Sequence, residues 1–260
     1  MVAGFLAGLL GVGGGMMMVP VLTWMLTSRG VPSGPAVKMA IATSMATIIF
    51  TSLSSVRAHH RLGSVRWDIA LRMAVGIVPG ALLASVGVFA ALQGQALALL
   101  FSTFICYTAL QMLLDRKPRP ERQMPGPLGT AGVGTGVGFI SALLGAGGAF
   151  LSVPFMTWCN VPARHAVGTS AALGFPIALF STLGYVLSGD SATQGAAAAL
   201  PGAVGYLYLP ALVIVSLASV TLAPWGARAA QRIDVVLLKR LFALLLFALA
   251  ASMLHRALAD

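Results

Sequence analysis

The chain alternates long apolar runs with short polar connections. Apolar segments cover about residues 2–27, 36–56, 68–91, 95–114, 128–158, 166–187, 203–224 and 235–254. Most are near the ~20 residues that cross a bilayer as an α-helix, and the pattern predicts an all-α polytopic integral membrane protein. DRKPRPERQMPGP, residues 115–127, is the most polar and proline-rich stretch and is expected to be a charged linker. It separates a first transmembrane repeat, residues 1–114, from a second, residues 128–260.

The two parts are copies of each other. GFLAGLLGVGGGMMMVPVLTW, from Gly4 to Trp24, aligns without a gap on GFISALLGAGGAFLSVPFMTW, from Gly138 to Trp158. Further on, Thr43 and Ser44 face Thr169 and Ser170, Lys38 faces Arg164, and RLGSVRW at 61–67 faces LPGAVGY at 200–206. Each repeat is expected to hold about four apolar segments, the first broken at its glycines. Internal duplication of this kind marks many secondary transporters.

Composition and charge refine the topology. With 58% hydrophobic and 8% charged residues and a mean hydropathy of +0.93, the chain has too little polar surface for a soluble domain of 260 residues. The net charge of +10 comes from Lys and Arg gathered in the connections, so it reports topology and implies no nucleic-acid partner. Eight plain crossings divide these cations eight to seven between the two sides. If the glycine-broken segments return to the side they entered from, the division is twelve to three, with Arg72 inside its helix. The positive-inside rule favours that arrangement, which makes the halves inverted repeats; a broken but spanning helix is the alternative. Residues 128–158 are too many for one untilted span and divide at Gly147 into two half-helices. The N-terminus has no basic leader, so no cleaved signal peptide is expected.

The glycines of GLLGVGGGMMMVP, residues 8–20, resemble a phosphate loop but run into methionines where a Walker motif needs Lys and Ser/Thr. No strand alternation or downstream acid supports a dinucleotide fold, and GVGTGVG at 132–138 is expected to be a helix-packing face. In a membrane, Gly11, Gly13, Gly14 and Gly15, with Gly145, Gly147 and Gly148, would interrupt helices at mid-depth and free backbone groups that lipid cannot satisfy. Helices restarting after them, bent at Pro20 and Pro154, would point N–H groups and positive dipole ends into the break, which makes an anion site. Tight packing is the bland alternative.

Hydroxyls of Thr43, Ser44, Thr169 and Ser170 can donate to an anion without placing a full charge in the membrane, or can bond back to their own helices. Lys38 and Arg164 are candidate cations at the cavity mouth, or snorkel to headgroups. Arg72 is expected to snorkel or to pair with Asp68. His59, His60 and Arg61 are expected to form a solvated basic cluster. Cys106 and Cys159, without CxxC or Cys/His spacing, are expected to pack as buried thiols, with no metal and no cofactor. All six acids lie in loops, at helix edges or at the terminus, which disfavours a cation substrate. No catalytic constellation lies within the apolar segments, so no enzyme is expected.

GFLAGLLGVGGGMMMVP and GFISALLGAGGAFLSVP, the Thr-Ser pairs, HHRLGSVRW, GYVLSG, LPGAVGYLYLPA and APWGARAAQRI together resemble the sulfite exporter TauE/SafE family, also called the toluene-sulfonate uptake permeases. The resemblance covers nearly the whole chain. It implies a multi-pass inner-membrane carrier, with lipid as its surroundings, that moves sulfite, sulfoacetate or other small sulfur-containing or organic anions by alternating access. An anion channel and a non-transporting membrane scaffold are the alternatives. Homo-oligomers are compatible with the glycine-rich faces. Two departures stand out: the first copy has fewer residues before its glycines than the second, so its start is expected to be truncated or mis-assigned, and Ala149 stands where the first copy has Gly15.

Overall fold

The computed structural model describes residues 15–114, 122–188 and 200–229, with a few positions between 243 and 251. It is mostly helical: α1 (Gly15–Ser28), α2 (Ser33–Arg61), α3 (Trp67–Leu82, continuing through a π-helical turn, Leu83–Val88, to Ala91), α4 (Gly94–Leu114), α5 (Pro127–Leu144), α6 (Ala149–Trp158), α7 (Ala163–Leu187) and α8 (Leu209–Ala229). Strands β1 (Ala203–Val204) and β2 (Leu207–Tyr208) precede α8. Among the described residues, five helices are long and apolar enough to cross a membrane: α2, α3, α4, α5 and α7. α1, α6 and the Leu209–Thr221 part of α8 are apolar and shorter.

The same turn leads into α2 and α7. Gly30 and Asn160 adopt φ of 86° and 64°, and Val31 and Val161 donate their N–H to Leu26 O at 3.2 Å and Met156 O at 3.0 Å. Pro32 and Pro162 then stand at the N-cap positions, where a missing N–H costs nothing.

Helix directions follow from which residues meet. α3 and α5 pack so closely that a Cβ on Gly134 would lie 2.2 Å from Met73 O, and one on Gly138 2.6 Å from Ile77 O. From the other helix, a Cβ on Gly76 would meet Ala131 O at 1.8 Å and one on Gly80 Thr135 O at 2.2 Å. Register rising together on both helices makes the pair parallel, and small residues four apart allow the backbones to touch. GVGTGVG is thus a packing face, through Gly134 and Gly138; Gly132 and Gly136 point away, with nothing within 4 Å. α7 meets Ser64 at Gly168 and Ser52 at Gly174, so it runs antiparallel to α2, and it meets Ser85 at Gly184, so it runs parallel to α3. The core between them holds Met16, Met39, Met45, Ile48, Met73 and Ile77, all without solvent exposure.

Three expectations need correction, and one of the two alternatives for Arg72 drops out. The apolar segment at 203–224 does not begin as helix: residues 203–208 form a hairpin with Ala203 opposite Tyr208 and Val204 opposite Leu207. Gly205, at φ 55°, supplies the positive φ of its two-residue turn. His59 is not solvated but 5% exposed, with Nδ1 3.2 Å from Ser64 Oγ. Only His60 and Arg61 are exposed, and His60 Nδ1 accepts the Trp67 indole N–H at 3.1 Å. Asp68 pairs with Arg66, through Nη2 at 2.8 Å and Nε at 3.0 Å, and not with Arg72. Cys106 is only half-buried. Cys159 is buried as expected, and burial pushes its thiol pKa up against the opposing pull of Arg122.

Candidate functional site

The site centres on the non-helical segment between α5 and α6. α5 stops at Leu144 because Gly145 turns into the left-handed region, φ 63°, and its N–H returns to Ser141 O. Ala146 donates to the same carbonyl at 3.2 Å. Gly148, φ 77°, is the N-cap of α6, and its carbonyl accepts from Leu151 at 3.1 Å and Ser152 at 2.9 Å. No side chain caps α6, so its first N–H groups face the segment without a side-chain acceptor. Beyond the segment the chain folds back. Arg122, just before α5, donates its N–H to Trp158 O at 3.4 Å, and its guanidinium lies 4.7 Å from the centre of the Trp158 ring, at the end of α6.

Gly15, the first residue of α1, abuts this segment. A Cβ there would lie 2.3 Å from Gly145 O and 2.5 Å from Ile48 Cδ1, so only glycine fits without displacement. Ser44 joins the two glycine stretches directly. Its hydroxyl reaches Gly15 O at 3.1 Å and Gly145 O at 3.4 Å, and Ser44 is fully buried. It therefore binds across elements and does not bond back to its own helix.

The two threonines play matching parts. Thr43 Oγ1 accepts the N–H of Tyr208, the residue before α8, at 3.0 Å. Thr169 Oγ1 accepts the N–H of Arg66, the residue before α3, also at 3.0 Å. Ser170, beside Thr169, has no exposure. Gly147 O lies 3.7 Å from where a Cβ of Gly174 in α7 would stand. Pro20 and Pro154 each occupy the sixth position of a helix that runs through them, α1 and α6; the interruption beside α6 falls at Gly145–Gly148. Gly11, Gly13 and Gly14 lie outside the described residues.

The two candidate mouth cations have different surroundings. Lys38 is 6% exposed, donates to Ala90 O at the end of α3 at 3.2 Å and stands 6.0 Å from the Tyr206 ring centre. Arg164 is exposed, and its Nη2 donates to Leu62 O at 2.9 Å, at the end of α2. Both satisfy carbonyls at helix C-termini, where a positive charge is favoured.

Two residues escaped the sequence reading. Ser141 and Ser152 are 1% and 0% exposed, and neither hydroxyl has a hydrogen-bond partner. They stand four residues before Gly145 and four after Gly148, one helical turn to either side of the interruption. A Cβ on Gly148 would lie 3.3 Å from Ser141 Oγ. The matching residues of the first copy are Ala7 and Met18, so comparing the copies passes over both serines; their spacing from the glycines was the available signal. Phe89, Tyr185 and Tyr206 were missed as well. They form a buried cluster, with Phe89 4.4 Å from Tyr185 and 5.5 Å from Tyr206 between ring centres, and the Tyr185 hydroxyl donates to Ala142 O near the interruption.

Backbone N–H groups, a helix N-terminus and unpartnered hydroxyls form a donor-rich setting in an apolar surround. It is suited to a small anion and holds no carboxylate among the described residues. The family model described as Sulfite exporter TauE/SafE matches residues 1–253. The chain belongs to the sulfite exporter TauE/SafE family. Relatives align over most of the TauE/SafE chain. A protein of Haemophilus influenzae named "Probable membrane transporter protein" is 33% identical over 96% of this chain and 94% of its own. One of Methanocaldococcus jannaschii with a similar name is 25% identical over 90% and 84%, and one of Bacillus subtilis is 29% identical over 78% and 81%. No solved structure matches significantly. The TauE/SafE family and the apolar helices identify a multi-pass membrane protein.

Proposed function

We propose that this TauE/SafE protein is a secondary transporter that exports small sulfur-containing or organic anions, such as sulfite or sulfoacetate, across the cytoplasmic membrane by alternating access. Residues 1–114 and 128–260 act as two inverted repeats. In each, the first segment is a re-entrant hairpin that carries the glycine break to mid-depth. The meeting of Arg122 with Trp158 supports this for the second repeat. So do the helix directions: α3, α5 and α7 start from one side and α2 ends there, which gathers Arg57, Arg61, Arg66, Arg122 and Arg164 on the cytoplasmic face.

The observation that carries the reading is the Ser44 bridge between Gly15 and Gly145, next to an uncapped α6 and two buried hydroxyls without partners. Such hydroxyls cost stability while unpaired, about 1–3 kcal/mol each, and a bound oxyanion recovers that cost. The buried packing of Phe89, Tyr185 and Tyr206 towards the C-terminal ends of α3 and α7 supports a closed carrier cycle over an open channel.

Replacing Ser141 and Ser152 together by alanine separates a ligand site from mere packing. In proteoliposomes, KM for sulfite should rise about tenfold or more, as expected for losing two donors to a charged ligand, while the ligand-free protein melts no lower than wild type. An unchanged KM would remove both serines from the site.

A further inference from the structure

Three of the arginines at this membrane end have a described partner. Arg66 pairs with Asp68, Arg164 caps Leu62 O, and Arg122 stacks on Trp158. Arg57 and Arg61 lie instead on the rim of a groove of about 470 Å³ between the last part of α2 and α8. Phe50 and Leu53, both exposed, and Val220 of α8 form its apolar wall. Asp68 is the only carboxylate among the described residues, and Arg66 holds both of its oxygens, so no described acid neutralises the groove.

The floor of the groove is fixed by the sequence. Pro224 has no N–H, so it cannot return a helical bond to Val220 O. Ser54 donates to that carbonyl instead, at 3.0 Å, and pins α8 to α2 at this depth. Along α2, Arg57 and Arg61 are one turn apart, and Phe50 lies about 10 Å further into the helix, at 1.5 Å per residue. Two guanidiniums at the membrane end, with apolar side chains running inward below them, match one molecule in polarity and direction: a phosphate headgroup with acyl chains.

We propose that this groove is a binding site for an anionic phospholipid of the cytoplasmic leaflet, its phosphate held by Arg57 and Arg61 and its acyl chains lying over Phe50, Leu53 and Val220. Guanidinium forks grip phosphate oxygens bidentately, and basic pockets between membrane helices suit such headgroups. The site is separate from the anion site of the proposed transport cycle.

The test is native mass spectrometry of the full chain in neutral detergent, titrated with phosphatidylglycerol, phosphatidylcholine or inorganic phosphate. Phosphatidylglycerol should be retained selectively by the wild type. Arg57→Gln with Arg61→Gln should weaken retention about tenfold or more, the loss expected for two charge-assisted contacts. Val220→Trp, which fills the groove without altering charge, should do the same. Equal retention of both lipids, or retention unaffected by these variants, would overturn the proposal. So would inorganic phosphate competing as well as the lipid, which would indicate a free-anion site. A dimer lost in the variants and insensitive to lipid would make the groove an interface between copies and would equally overturn it.

Discussion

Gly15→Ala is expected to reduce anion flux in proteoliposomes at least about tenfold, equivalent to some 1.4 kcal/mol of lost stabilisation, with the protein still folded in the membrane. The added methyl would sit 2.3 Å from Gly145 O, a backbone atom in a segment whose left-handed glycine leaves it few alternatives. Ile48 can rotate away, but the carbonyl cannot, so the two glycine stretches must part and the Ser44 bridge must break on one side. Alanine is itself compatible with a helix start here, since Ala149 holds the matching place in the second copy. The defect is therefore one of contact between the stretches, not of helix formation. Full flux in a folded Gly15→Ala protein would mean that the stretches need not touch for transport.

The largest effect on stability is expected at the α3–α5 seam. A leucine at Gly134 must displace Met73 O, C and Cα, which a Cβ alone would already approach to 2.2, 3.0 and 3.1 Å. Because these atoms are backbone on a helix held along its whole length, relief requires the helices to separate. The cost should be about 3 kcal/mol or more, at the top of the range for overpacked cores. At about 2–4 °C per kcal/mol, that is a melting point lower by on the order of 10 °C. Gly136→Leu, two residues along the same helix and facing open space, should melt close to wild type. Equal losses at both positions would mean that leucine harms α5 for reasons other than the seam.

Both effects come from glycines, and glycine is where the sequence was most legible. Membrane helices need apolar runs of fixed length, so α2, α3, α4 and α7 could be located from composition alone. The duplicated motif singled out Gly145, Gly147 and Gly148 because two copies of one pattern leave little room for accident. Ser44 was legible as a candidate, but its bridge between two other segments was not: a serine bonding to its own helix and one bridging two other segments look identical until the neighbours are in place. Ser141 and Ser152 were hidden because the first copy lacks them. The 203–208 hairpin was hidden because its alternating apolar residues, Leu207 and Tyr208 among them, satisfy a membrane-segment pattern as well as they satisfy two short strands. His59 looked solvated from its charged neighbours, yet α2 turns it inward towards Ser64. In each case tertiary contact, absent from local periodicity, decided the outcome.

Counterflow in proteoliposomes tests the central claim most directly: protein shown to be folded is reconstituted into vesicles preloaded in turn with sulfite, thiosulfate, sulfoacetate, a simple carboxylate and a cation control. The account predicts saturable exchange with at least one of the anions and none with the cation. Absence of exchange with every anion would contradict it, and would make the glycine stretches packing devices within a membrane scaffold.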